Sequence, residues 1–143
     1  MGSITVVLAD DDAQMRHTLT SMLHTDPRFE VIGHAANGAD LLEVVALSRP
    51  HVALVDVQMP GGGPGLVRSL VDGFPLVAIA VSAETAPSIV LGMLRAGARG
   101  YLTKGRIGAS LPDLVSRCAH GEVILATPTG AEVLRQLISV RIR

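Results

Sequence analysis

The residues best suited to chemistry are acids that follow short apolar runs. Asp10, Asp11 and Asp12 come directly after the run ITVVLA, and Asp56 comes directly after HVALV. Clustered carboxylates repel one another unless a cation joins them, and hard oxygen ligands favour Mg²⁺ over softer metals. A carboxylate beside bound Mg²⁺ can act as a nucleophile toward phosphorus.

Two further polar residues follow apolar runs later in the chain. Ser82 comes after LVAIAV, and Lys104, the only lysine in the sequence, comes after GYLT. An ammonium group can neutralise charge on phosphoryl oxygens, and a small hydroxyl can donate a hydrogen bond to one of them. Taken together, these residues predict phosphoryl chemistry at one shared site.

The elements that must position these residues are short strands alternating with amphipathic helices. The sequence predicts strands at residues 4–9, 29–34, 51–55, 76–81 and around 101–102. It predicts helices at residues 13–25, 39–47, 66–71, 86–96 and 110–120. This alternation is typical of an α/β, flavodoxin-like doubly wound fold, with a five-stranded parallel sheet of order 2-1-3-4-5 and helices on both faces. In such sheets ligands bind outside the carboxyl ends of the strands, where the candidate residues fall.

Composition excludes several other classes of protein. The 143 residues are 48% hydrophobic and 2% aromatic with a formal net charge of −1. These values argue against a disordered chain, a single-stranded nucleic-acid binder and a strongly charged membrane-surface or DNA binder. Cys118 alone cannot form an internal disulfide or a Cys-based zinc site. Neither a membrane-spanning run nor a secretory signal is visible, so we expect a cytoplasmic protein that does not contact a membrane.

Each candidate residue also has a purely structural explanation. Asp12 fits the N-cap of the first helix, and for Asp12 alone we prefer that interpretation. Asp56 could end a strand, Ser82 could cap a helix, and Lys104 could be an ordinary surface lysine. Their joint occurrence at four strand ends favours the functional interpretation, because a motif gains weight from its predicted structural context.

Four segments carry a family resemblance: VVLADDD at residues 6–12, HVALVDVQMPGGGPGL at 51–66, VAIAVSA at 77–83 and AGARGYLTK at 96–104. With these segments the chain resembles the response-regulator receiver domains of bacterial two-component systems, which have a CheY-like fold. The AGARGYLTK segment, together with GEVILATP at residues 121–128, is most similar to the NarL/FixJ-type (LuxR-class) subgroup.

The resemblance implies a role for each candidate residue. Asp56 matches the phosphoacceptor, which receives phosphate from a partner histidine kinase. The implied Mg²⁺ ligands are Asp10, Asp11, Asp56 and the backbone carbonyl of Gln58. Ser82 and Lys104 match the residues that contact the phosphoryl group. Ser82 and Tyr101 also match the switch residues, a hydroxyl that reorients onto the phosphoryl group and an aromatic side chain that turns inward as the hydroxyl moves. The domain is expected to catalyse only its own phosphorylation and dephosphorylation, with Gln58 and Glu84 tuning the latter.

The loop MPGGGPG at residues 59–65 departs from the family pattern because it is richer in glycine and lacks a common polar residue. We therefore expect a mobile loop over the site.

The sequence divides into a receiver domain at residues 1–122 and a linker and helix at 123–143. Thr129 and Glu132 fit a capping box that opens this extra C-terminal helix. In the NarL/FixJ-type subgroup such a segment leads into a helix-turn-helix domain. We therefore expect control of transcription, DNA contact only through such a further domain, and a homodimer on phosphorylation.

Two other functions remain open at this point. A stand-alone receiver acting by protein–protein interaction would have the same site. A Mg²⁺-dependent aspartyl-phosphate phosphatase would carry a second aspartate two residues after its nucleophile, and Gln58 occupies that place.

Overall fold

The computed structural model describes residues 2–142, and the side chains of residues 2–139. The strands are β1 (Ile4–Ala9), β2 (Phe29–Ala35), β3 (Val52–Val55), β4 (Val77–Ser82), β5 (Gly100–Thr103) and β6 (Ile124–Ala126). The helices are α1 (Ala13–His24), α2 (Gly38–Ser48), α3 (Pro64–Gly73), α4 (Pro87–Arg95), α5 (Lys104–Ile107), α6 (Leu111–Ala119) and α7 (Gly130–Ile142). A short 3₁₀ turn, Gly108–Ser110, joins α5 to α6.

The strands form one parallel sheet of order β2-β1-β3-β4-β5-β6. This confirms the predicted fold and the order of its first five strands. The prediction of five strands is corrected to six, because β6 pairs with β5 and covers an edge that would otherwise be open. A run of three residues carries almost no periodicity, which is why the sequence did not predict it.

Helices cover both faces of the sheet, as predicted. On one face α1 and α6 pack over an apolar cluster that includes Leu19, Leu23 and Val115. On the other face α2 and α3 cover a second cluster, which includes Leu41 and Leu70, while α4 and α7 cover a third. Each fully buried leucine contributes roughly 1.5–3 kcal/mol to the stability of the fold.

The N-cap residues of the first two helices fix where those helices begin. The side chain of Asp12 accepts hydrogen bonds from the amides of Gln14 and Met15, so Asp12 caps α1 as predicted. Asn37 caps α2 by accepting from the amide of Asp40. The cap on α1 turns the Asp12 carboxylate toward the helix.

The glycine-rich loop lies directly against the start of α2. The amide of Gly38 donates to the carbonyl of Pro60 at 2.8 Å, and the amide of Gly62 donates to that of Met59 at 2.9 Å. A Cβ atom at Gly38 would lie 2.3 Å from the carbonyl oxygen of Gly61, so this approach requires glycine. The loop that the sequence predicts to be mobile is thus tied to α2 by its backbone.

Within residues 2–142, no helix has the length and apolarity needed to cross a bilayer.

Candidate functional site

The sheet brings the ends of four strands to one edge. Asp10 follows β1, Asp56 follows β3, Ser82 ends β4 and Lys104 follows β5. Because all of these strands are parallel and in register, their carboxyl ends meet at that edge. Asp10, Asp56 and Ser82 are buried there, and Lys104 is partly buried.

Three carboxylates form the centre of the site. Asp10, Asp11 and Asp56 each offer an oxygen atom, and these atoms lie within 4.8 Å of one another. Asp10 and Asp56 are 2% and 4% exposed, whereas Asp11 is exposed. A compact set of hard oxygen donors with access to solvent fits a divalent cation such as Mg²⁺. The amide of Gln58 donates to Asp56 Oδ1 at 3.2 Å, which holds the Gln58 backbone close to this set.

Lys104 joins the two buried acids. Its Nζ lies 2.8 Å from Asp10 Oδ2 and 3.6 Å from Asp56 Oδ2. Burial alone would lower the pKa of Lys104, but the hydrogen bond to Asp10 and the nearby charges of Asp56 and Asp10 raise it above its ordinary value. The lysine therefore stays protonated and supplies a fixed positive charge at the site.

Asp56 has an unfavourable environment for its negative charge. Burial raises the pKa of Asp56, the Gln58 amide opposes this shift, the charge of Asp10 raises the pKa further, and Lys104 lowers it. The balance raises the pKa above its ordinary value. A bound divalent cation would offset this cost, because it favours the charged form of a nearby carboxylate.

The end of β1 is held by residues that the sequence did not single out for this role. The amide of Asp12 donates to Asp10 Oδ1 at 2.9 Å, and the guanidinium of Arg16 donates to the backbone carbonyl of Asp10. Arg16 lies on the first turn of α1, four residues after the capping aspartate, where a long side chain can reach back to the strand end. These contacts orient Asp10 toward Lys104.

Residues 83–86, which we call the β4–α4 loop, close another side of the site. The hydroxyl of Ser82 accepts from the amide of Glu84 at 3.1 Å, and the hydroxyl of Tyr101 donates to the carbonyl of Glu84 at 2.7 Å. The Tyr101 side chain is fully buried, and burial raises its pKa, so the hydroxyl remains a donor. The amide of the Gln58 side chain donates to Glu84 Oε2 at 3.3 Å.

A contact from the C-terminal segment was missed by the sequence interpretation. The hydroxyl of Thr129 donates to the carbonyl of Thr85, at 2.6 Å, across 44 residues of chain. The predicted capping box did place Thr129 at the start of a helix, and the amide of Val133 donates to its carbonyl at 3.0 Å. Nothing in the local sequence indicates the partner of this hydroxyl, because the contact depends on how α7 packs against α4.

The sequence matches the family described as "Response regulator receiver domain" over residues 6–116. The chain is 32% identical over 136 residues to the DNA-binding transcriptional activator DevR/DosR of Mycobacterium tuberculosis, covering 94% of this chain and 63% of that one. It is 34% identical over 113 residues to a protein-glutamate methylesterase/protein-glutamine glutaminase of Moorella thermoacetica, covering 77% of this chain and 27% of the enzyme. The signal receiver domain of NarL from Mycobacterium tuberculosis has a similar structure, with a TM-score of 0.81, 31% identity, and coverage of 85% of this chain and 100% of that one.

The chain therefore belongs to the response regulator receiver domain family. Its relatives include NarL-type and DevR-type regulators of the LuxR family, which confirms the resemblance seen in the sequence. The chain spans about three fifths of the length of the regulators that it matches, 63% of DevR/DosR and 62% of the regulatory protein YxjL of Bacillus subtilis.

Proposed function

We propose that this chain is a phosphorylation-switched receiver that accepts a phosphoryl group on Asp56 from a histidine kinase. One observation carries the proposal: carboxylate oxygens of Asp10, Asp11 and Asp56 converge within 4.8 Å, and Lys104 contacts two of these acids. An acidic cluster with one shared ammonium suits a divalent cation and a phosphoryl group together.

The residues of the chain divide this chemistry among themselves. Asp10, Asp11, Asp56 and the carbonyl of Gln58 would hold Mg²⁺, which supplies positive charge for the phosphoryl oxygens. A carboxylate oxygen of Asp56 attacks phosphorus, the bond from phosphorus to the kinase histidine nitrogen breaks, and the leaving imidazole takes a proton. Lys104 neutralises one phosphoryl oxygen, and the Ser82 hydroxyl donates to another.

The same proposal extends to the output of the domain. Residues 1–122 would act as the receiver and residues 123–143 as the link to a helix-turn-helix domain, since the relative DevR/DosR is a DNA-binding activator. Phosphorylation would favour a homodimer, and the protein would act in the cytoplasm on transcription. No further enzymatic activity is proposed. A reading frame that continues past Arg143 into a helix-turn-helix supports this output, and a stop codon there supports a stand-alone receiver.

The phosphoacceptor is tested with a small phosphodonor such as acetyl phosphate in Mg²⁺. We expect a mass increase of about 80 Da, from one phosphoryl group, that hydroxylamine removes and that chelation of Mg²⁺ prevents. Asp56→Asn abolishes the adduct. Asp12→Asn keeps it, because asparagine caps a helix as well as aspartate does and Asp12 uses its side chain on α1.

Two outcomes would contradict the proposal. An adduct that survives in Asp56→Asn would place the phosphoacceptor elsewhere. An adduct lost equally in Asp12→Asn would mean that the total negative charge near the site matters, rather than the cluster of Asp10, Asp11 and Asp56. Rapid turnover of a phosphomonoester by the unaltered chain would support the phosphatase instead.

A further inference from the structure

Two hydroxyl groups from different elements of the fold donate hydrogen bonds to the backbone of the β4–α4 loop. Tyr101, on β5, donates to the carbonyl of Glu84, and Thr129, at the start of α7, donates to the next carbonyl along, that of Thr85. The loop directly follows Ser82, the residue proposed to contact the phosphoryl group. The C-terminal segment therefore contacts the backbone of the loop at Thr85, three residues after Ser82.

The C-terminal segment also closes the apolar surroundings of Tyr101. Tyr101 belongs to the same buried cluster as Val90 and Met93 of α4 and Val133 of α7, and Leu137 packs against this cluster. Tyr101 and Val133 are both fully buried. The inward position of the tyrosine thus accompanies a docked α7.

Thr129 is itself fixed to α7. Its carbonyl accepts the amide of Val133 in the first turn of the helix, and its hydroxyl lies 3.5 Å from that of Thr127, which is 5% exposed. A displacement of the Thr85 carbonyl must therefore either carry the start of α7 with it or break the hydrogen bond.

We propose that Thr129 is a positioning residue that couples the β4–α4 loop to the docking of α7 on α4. The signalling part of this inference rests on the proposed function, because it assigns the movement of Ser82 to phosphorylation. When Ser82 turns toward a phosphoryl group, its bond with Glu84 draws the loop along, and the bond from Thr129 transmits the change to α7. Coupling is reciprocal, so undocking of α7 also changes how long the phosphoryl group persists.

The first experiment needs no phosphorylation and compares Thr129→Val with Thr129→Ser. Hydrogen exchange is measured over residues 83–86 and over residues 130–139 of the unmodified protein. The valine variant removes one hydroxyl bond, and we expect exchange to rise about three- to tenfold in both segments. The serine variant keeps the hydroxyl and restores slow exchange in both.

Thr18→Val is the matched control. Its hydroxyl also donates to a backbone carbonyl, that of Gln14 at 3.0 Å, but within the exposed face of α1. We expect this variant to leave exchange in residues 83–86 and 130–139 unchanged. A rise at residues 130–139 with no rise at 83–86 in Thr129→Val would reduce Thr129 to a helix cap and overturn the proposal.

The second experiment uses the phosphodonor or beryllofluoride with Mg²⁺. In the unaltered chain, exchange over residues 130–139 changes on activation, and Thr129→Val removes that response while still accepting the adduct. The adduct lifetime also shifts several-fold in Thr129→Val and returns in Thr129→Ser. An unaltered response of α7 in Thr129→Val overturns the coupling.

The two proposals fail in distinguishable ways. A chain that takes no adduct in any form contradicts the proposed function, yet linked exchange of the two segments in the first experiment still supports the mechanical coupling. A normal adduct with independent segments contradicts the coupling alone.

Discussion

The loop after β3, residues 57–63, is fixed by close backbone packing, whereas the β4–α4 loop is fixed by side-chain hydroxyls. The first loop packs against the start of α2, where Gly61 and Gly38 approach so closely that a Cβ on Gly38 would overlap a carbonyl oxygen. Gly62 lies where the carbonyl oxygens of Asp56, Val57 and Met59 converge, 2.8–3.0 Å from the position of a Cβ. In the second loop the carbonyls of residues 84 and 85 accept from Tyr101 and Thr129.

Because of this difference, we call residues 57–63 the fixed wall of the site and the β4–α4 loop its adjustable wall. Backbone packing without side chains cannot yield by small steps, since a shift of a few tenths of an ångström creates a clash or a void. A hydroxyl bond contributes only about 1 kcal/mol net and can be exchanged for another partner. We infer that conformational change at this site passes through the β4–α4 loop and leaves residues 57–63 in place.

Gly38→Ala should disrupt the packing of the fixed wall against α2, and it gives the largest expected effect on stability. The added methyl group would lie 2.3 Å from the Gly61 carbonyl oxygen and 2.9 Å from its carbonyl carbon. Since both neighbours are backbone atoms, we expect a loss of about 3 kcal/mol in the free energy of unfolding. Urea unfolding followed by circular dichroism measures this change.

Gly65→Ala is the control for that substitution. Gly65 lies in the first turn of α3, where nothing stands within 4 Å of an added Cβ. Alanine there should stabilise the protein by about 0.5 kcal/mol, because it restricts the unfolded chain. Equal destabilisation by the two substitutions would show that glycine loss in general, and not the contact with Gly61, determines the result.

Tyr101→Phe should loosen the adjustable wall with an intermediate effect. Phenylalanine keeps the ring in its apolar cluster but removes the donor to the Glu84 carbonyl. We expect a loss of about 1 kcal/mol in stability. Hydrogen exchange should accelerate over residues 83–86, whereas exchange over residues 57–63 should keep the rate of the unaltered chain.

The comparison between the loops fails if Tyr101→Phe accelerates exchange equally in both. Such a result would mean that the two walls open together, in one cooperative unit that includes the whole carboxyl edge of the sheet.

The sequence predicts the parts of this site that follow from strand periodicity. Asp10 and Asp56 each end an apolar run, and parallel strands bring such ends together, so their proximity needs no knowledge of packing. The contact of Gly38 with Gly61 joins the start of α2 to the loop after β3, and the bond from Thr129 to Thr85 joins segments 44 residues apart. Neither has a local signal, because both arise only when helices have docked on the sheet.

The C-terminal segment illustrates the same limit. The sequence predicts its helix from the capping box and from an apolar stripe of Val133, Leu134, Leu137 and Ile138, but it does not predict that this helix covers Tyr101. Val133 is fully buried while Leu134 and Ile138 are 51% and 56% exposed, so the apolar stripe is only partly covered in the chain described. A pattern of apolar residues indicates that a helix has a face to bury, and the partner of that face is decided by tertiary structure.

Gln58→Leu tests the link between the two walls and should have the smallest effect on stability. The side-chain amide of Gln58 donates to Glu84 Oε2 at 3.3 Å, and this bond is exposed to solvent. Because water replaces an exposed hydrogen bond, we expect the free energy of unfolding to change by less than about 0.5 kcal/mol. Exchange over residues 57–63 and 83–86 should stay within a factor of about two for the same reason.

The lifetime of the phosphoryl adduct is the more sensitive measurement for Gln58→Leu. The Gln58–Glu84 pair spans both loops beside Asp56, so its removal alters the path of water to the adduct without moving either wall. Glu84→Gln is the control, since its amide oxygen still accepts from Gln58 and should preserve the pair. A destabilisation above about 1 kcal/mol in Gln58→Leu would mean that the exposed bond holds the loops together. The fixed and the adjustable wall would then form one cooperative unit, which would contradict the proposed difference between them.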